Sequence, residues 1–137
     1  MTAIKTPTAP TAARAANAGL WTLQVILAAV YAFSAYGKLT ATAQNVAGFE
    51  AMGLGTTGMY IIGALELAGA IAMFVPRLTG LAALCFVALM VGAVTMTAAT
   101  LGVGTLLVLP AVVGLLAAVV AWGRRDSTRR LVAQLRR

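Results

Sequence analysis

The sequence predicts an all-α fold: an integral membrane four-helix bundle with a short outer amphipathic helix between spans 1 and 2. Three observations lead there. The chain has 137 residues, of which 61% are hydrophobic and 9% charged, where soluble domains carry about a quarter charged residues. Its apolar residues gather into four runs, roughly 19–37, 59–76, 79–98 and 105–122, each about long enough to cross a ~30 Å hydrocarbon core as a helix. One acidic residue, Glu66, stands alone inside one of those runs. The runs are continuously apolar rather than alternating, which argues against a membrane β-barrel. They use most of the chain, so no folded soluble domain fits beside them.

Residues 1–18 are mostly Thr, Ala and Pro. Pro7, Pro10 and the lack of apolar periodicity predict a disordered cytoplasmic leader. Span 1 (19–37) carries a polar stripe: Gln24, Tyr31, Ser34 and Lys38 follow one another at steps that keep them on one helical face. In the connection to span 2, Thr42 is positioned to cap a short helix over 43–52, with Gly53 and Gly55 ending it. Val46 and Phe49 lie on one side of that helix and Glu50 nearby, which reads as a lid on the outer face. Span 2 (59–76) holds Glu66, with Gly63, Gly69 and Ala70 at helical spacing. This small-residue face suits close packing against another membrane helix, so Glu66 is expected to point into the bundle. Span 3 (79–98) contains Cys85, read as a core residue. Pro110 falls early in span 4 (105–122), where it should kink the helix or interrupt its first turn. In the basic tail, 123–137, Leu131, Val132 and Leu135 share a face, which predicts a short helix lying on the membrane surface.

Charge sets the orientation. With four spans, both termini lie on one side. Lys5, Arg14, Arg77 and the six tail arginines share that side, against Lys38 alone on the other. Positive residues favour the cytoplasm, so both termini are expected there. The net charge of +7 follows from this bias, and no nucleic-acid partner is needed to explain it. The tail's expected partners are anionic lipid headgroups. The chain has no histidine and one cysteine, so by itself it cannot build a His-ligated haem, a four-cysteine cluster or a conventional zinc site. No metal site and no catalysis by the isolated chain are expected. Gly53-Leu54-Gly55 and Gly102-Val103-Gly104 lack the strand–helix context of a phosphate loop.

The candidate ligand-binding or proton-coupling residues are therefore Glu66, Tyr31, Ser34 and Lys38. A carboxylate at bilayer depth costs ~2.5–3.5 kcal/mol by insertion scales, so Glu66 calls for a partner or a task. With Trp21 and Arg77 set at one boundary, a rise of ~1.5 Å per residue puts Tyr31 and Glu66 level near mid-membrane and Lys38 ~9 Å above them. A Tyr31–Glu66 hydrogen bond then needs no adjustment. A Lys38–Glu66 contact needs helix tilt or a bent lysine stem, and the lid's Glu50 is an alternative partner for Lys38. Ordinary interhelical hydrogen bonding, with Lys38 snorkelling to the outer interface, stands beside the functional reading.

Several segments also resemble those of the DoxX-like membrane proteins. Ala35-Tyr36-Gly37-Lys38-Leu39 is similar to the family's Gly-x-Lys-Leu element at the end of span 1, with Gly37 and Lys38 adjacent here. Phe49-Glu50-Ala51-Met52-Gly53-Leu54-Gly55 resembles its short outer segment. Gly63-Ala64-Leu65-Glu66-Leu67-Ala68-Gly69-Ala70, followed by Pro76-Arg77 and Gly80-Leu81-Ala82-Ala83, resembles its Glu-x-x-Gly-Gly span, with Ala70 in place of the second glycine. The resemblance implies a four-helix bundle in the bacterial cytoplasmic membrane, with Lys38, Glu66 and Arg77 as the positions that carry over. It also implies a link to redox assemblies of the thiosulfate:quinone or quinol oxidoreductase kind, and hence a quinone or lipid ligand and redox-complex partner proteins. Two other readings stay open, a small proton-coupled exporter and a structural assembly partner without chemistry. A homo-oligomer is compatible with each.

Overall fold

The computed structural model describes residues 10–136, which form six α-helices and no strand. Four are long and apolar enough to cross a membrane: α1 (Thr11–Leu39), α3 (Gly55–Ala72), α4 (Thr79–Leu101) and α5 (Val108–Gly123), the last preceded by a 3₁₀ turn at Thr105–Leu107. Two short helices complete the chain, α2 (Ala43–Ala51) in the first connection and α6 (Arg125–Leu135) in the tail.

The bundle is two helix pairs. α1 packs most extensively on α3, and α4 on α5; the pairs meet along α1–α5 and α3–α4. The core is accordingly thin, with Leu27, Tyr31, Met73, Phe86 and Val120 among its fully buried members. Large apolar side chains such as Phe33, Ile61, Leu115 and Trp122 face outward, as expected of helices whose outer surfaces meet lipid rather than water.

Element boundaries depart from expectation where local chemistry outweighs hydropathy. α1 begins at Thr11, inside the stretch read as an irregular leader. The Ala-rich residues after Pro10 are strong helix formers and extend the span beyond its apolar part; the rest of the leader, 1–9, lies outside the described residues. α3 is displaced toward the N-terminus relative to 59–76, since it starts at Gly55 and ends at Ala72, leaving Phe74–Arg77 in the turn. The lid helix forms where expected and packs on α3, with Phe49 buried. Thr42 occupies the N-cap position but makes no cap hydrogen bond. Its hydroxyl donates to the Gly37 carbonyl at 3.2 Å and accepts from Asn45 Nδ2 at 2.7 Å. Gly53 ends the helix with φ of 73°, a left-handed conformation that a Cβ disfavours. Pro110 sits in the first turn of α5, where its missing N–H removes no intrahelical bond, so the helix simply starts there. Cys85, expected in the core, is exposed on α4.

Candidate functional site

Glu66 is buried on α3 and faces the bundle as its small neighbours predict. Its partner is Lys38. The lysine Nζ donates to Glu66 Oε2 at 2.9 Å, to Oε1 at 3.1 Å and to Ser34 Oγ at 2.5 Å. Each of the three ammonium protons thus has an acceptor. The side chains of Lys38 and Glu66 are 11% and 4% exposed. Glu50 is exposed and takes no part, so the expected alternative pairing of Lys38 with the lid is corrected, as is the outward snorkelling of Lys38.

The direct contact follows from how α1 and α3 meet. Gln24 Nε2 donates to the Met73 carbonyl at 3.1 Å, which fixes the seam at one end. At the other, a Cβ on Gly63 would lie 3.0 Å from Lys38 Cβ. Between these points α1 advances fourteen residues and α3 ten, or ~21 Å against ~15 Å of helix. The close approach at Gly63 sets the base of Lys38 against α3 three residues from Glu66, within reach of the lysine side chain. The gap of ~9 Å expected from parallel helices disappears, and the absent side chain at Gly63 opens the path for the lysine stem.

Tyr31 does not hydrogen-bond Glu66. Its ring stacks on Phe86 of α4, centroids 3.5 Å apart and planes 8° from parallel, a contact that crosses the bundle diagonally. Gly69 makes room for it, since a Cβ there would overlap the Phe86 ring. The Tyr31 hydroxyl is buried without a hydrogen-bond partner among the described residues. Stacking on Phe86 fixes the ring plane and with it the position of the hydroxyl. Of the four expected site residues, Ser34, Lys38 and Glu66 form one cluster, and Tyr31 belongs to the aromatic stack beside it.

Gln24, the fourth member of the stripe on α1, belongs to a separate network at the termini side. While its Nε2 holds Met73, its Oε1 accepts from Arg124 Nε at 2.7 Å. Thr79 Oγ1 also donates to the Met73 carbonyl, at 3.2 Å. Arg124 lies 5.7 Å from the Trp21 ring centroid. This network ties together α1, the α3–α4 turn and the end of α5. The one signal for it in the sequence is a glutamine one turn into an apolar span; its partner lies a hundred residues away. Arg77, which the resemblance singled out, is exposed in the α3–α4 turn and separate from the Lys38–Glu66 pair.

Two surface grooves flank these features. One, of 500 Å³, runs between α1 and α3, with Ala28 and Ala32 on one wall and Leu67, Ala70 and Phe74 on the other. The second, of 690 Å³, lies between the ends of α4 and α5 on the termini side and helix α6. Neither is lined by Tyr31, Ser34, Lys38 or Glu66.

Four apolar helices carrying a paired Lys38 and Glu66 in their seam define a small multi-pass membrane protein. The family model of the DoxX-like family matches residues 22–120, most of the bundle, and the chain belongs to that family. No curated protein and no solved structure matches it.

Proposed function

We propose that this chain is an accessory subunit of a membrane redox assembly in the bacterial cytoplasmic membrane, and that it holds a lipid-soluble ligand of the quinone class. The reading is carried by one observation: the buried Tyr31 hydroxyl has no partner among the described residues, while each proton of the Lys38 ammonium is already held by Glu66 or Ser34. An unpaired buried hydroxyl costs ~1–3 kcal/mol, and a carbonyl-bearing ligand would remove that cost. The apolar groove between α1 and α3 suits a prenyl chain, because it is lined only by apolar side chains. In this reading the tail would follow the groove and the headgroup would have to enter the α1–α3 seam to reach the Tyr31 hydroxyl, which does not itself line the groove.

A bound quinone would supply the two-electron, two-proton chemistry that this chain lacks. The chain's own residues bind and orient. Tyr31 O–H donates to a ligand oxygen, Phe86 fixes the ring that carries that hydroxyl, and Lys38, which also donates to Ser34, gives Glu66 a partner within the bilayer. The tail meets anionic headgroups at the membrane surface. The exporter reading draws less from the site, because Glu66 is already matched by a lysine of the same chain.

The test is a mass spectrum of the lipid extract from protein purified in mild detergent out of quinone-containing membranes. Wild type should retain a prenyl quinone, and Tyr31→Phe should lose most of it while leaving helicity unchanged. Equal retention by Tyr31→Phe, or no quinone in either, overturns the proposal. A stable redox partner recovered without quinone would instead assign the chain a structural place in the assembly.

A further inference from the structure

We infer that the groove between α4, α5 and α6 is a site for one anionic phospholipid of the leaflet on the termini side. Its floor is apolar and formed by Leu84, Val87 and Trp122. Leu84 and Trp122 are themselves exposed, so the floor continues onto the outer surface of the bundle. Its rim is basic: Arg125, Arg129 and Arg136 of α6 all line it. With Val132, these residues follow steps of four, three and four along the helix, which places them on one face. An apolar trough with three guanidiniums at its edge complements a phosphodiester carried on acyl chains.

Two further facts separate this site from general basicity. Arg125 lies over the Trp122 ring, 4.9 Å from its centroid, which holds one guanidinium at the mouth of the groove. α6 itself is docked rather than loose: Ser127 Oγ donates to the Arg124 carbonyl at 2.7 Å and accepts from the Gly80 amide at 3.3 Å. Thr128 packs so closely on Gly80 that a Cβ there would overlap it. The acidic group on α6, Asp126, is exposed and lies 3.9 Å from Arg129, with both side chains largely in solvent, so it leaves the rim's charge mostly unmatched. Arg130 carries the same charge on the same helix but does not line the groove.

The inference rests on reading α6 as a membrane-surface helix, and the experiment separates the two. The full chain, in detergent supplied with equal phosphatidylglycerol and phosphatidylcholine of matched chains, is examined by native mass spectrometry. Wild type should carry one phosphatidylglycerol in preference. The R125Q/R129Q variant should lose roughly twenty-five-fold in that preference, about fivefold per arginine. V132W, which fills the groove at unchanged charge, should lose the adduct, and R130Q should stay within about twofold of wild type. Equal loss in R130Q and R125Q/R129Q overturns the site while leaving a general surface attraction. No effect of any arginine overturns both readings. Equal retention of the two lipids, or a second copy of the chain bound in place of lipid, overturns the site as well.

Discussion

Removing Lys38 and Glu66 singly and together gives the sharpest test of how this bundle is held. At 2.9–3.1 Å and an effective dielectric of ~20, the gross attraction is about 5–6 kcal/mol. Withdrawing both ions from water costs several kcal/mol each, so the intact pair is worth little net. Breaking it is different, because the charge left behind has no solvent. Lys38→Met strands Glu66 in the interior of α3, where its side chain is 4% exposed, and should destabilise by ~3–5 kcal/mol. Glu66→Leu should cost roughly half as much, because Lys38 sits in the last turn of α1 and its long stem can carry the ammonium outward. The double variant Lys38→Met/Glu66→Leu should lie within about 1 kcal/mol of wild type or be more stable. Unfolding in mixed micelles of SDS and a mild detergent, followed by far-UV circular dichroism, measures each value. Additive single effects in the double variant would refute the pairing, and so would two single variants each within ~0.5 kcal/mol of wild type.

Other consequences are measured in the same way or by simple fusions. Gly69→Ala drives a methyl into the Phe86 ring and should cost ~1–3 kcal/mol, most of it recovered by adding Phe86→Leu; an unaffected Gly69→Ala would mean that the α3–α4 seam is looser than described. Gln24→Leu removes one donor to the Met73 carbonyl and the acceptor of Arg124 Nε, and should cost ~1–3 kcal/mol; a neutral result would show that Thr79 alone satisfies that end of the seam. A reporter fused at the C-terminus should be active only in the cytoplasm, and one in the 40–54 connection only outside it; the opposite pattern would reverse the orientation.

The membrane-spanning fold was legible because hydropathy alone states it: four apolar runs, short connections and one acidic residue with glycines around it. The burial of Glu66 followed from Gly63 and Gly69, which mark where another helix comes close. Its partner was not legible. Counting rise along parallel helices puts Lys38 out of reach, whereas the close approach at Gly63 brings its stem against α3 near Glu66. Helical spacing joined Gln24, Tyr31, Ser34 and Lys38 into one stripe, correctly as geometry. Spacing carries no information about what each residue meets, and four different neighbours divide the stripe among them. The Met73 carbonyl and Arg124 take Gln24, Phe86 takes Tyr31, and Glu66 takes Lys38 with Ser34 alongside. Arginine pairs are equally silent. Arg124 is drawn into the bundle by Gln24, while the adjacent Arg125 stays at the surface over Trp122.

Lipid tails are as apolar as the helices, so burial of leucine and valine gives this bundle little preference for one arrangement over another. Its register has to come from elsewhere, and the α1–α3 seam shows where. One end is tied by Gln24 to the Met73 carbonyl, the other by Lys38 to Glu66, and the Tyr31–Phe86 stack locks the middle to α4 through the space left at Gly69. Each tie is a polar or aromatic contact that a shift of one residue would break, leaving an unpaired group in hydrocarbon. Between those ties the seam is lined by Ala28, Ala32 and Ala70, which allow close approach and set no register of their own. The Tyr31 hydroxyl lies between two ties that fix its surroundings. A ligand that reaches it therefore meets a donor held in place by contacts at both ends of the helix pair, and an oxygen acceptor of suitable size gains a hydrogen bond without the cost of ordering the residue that supplies it.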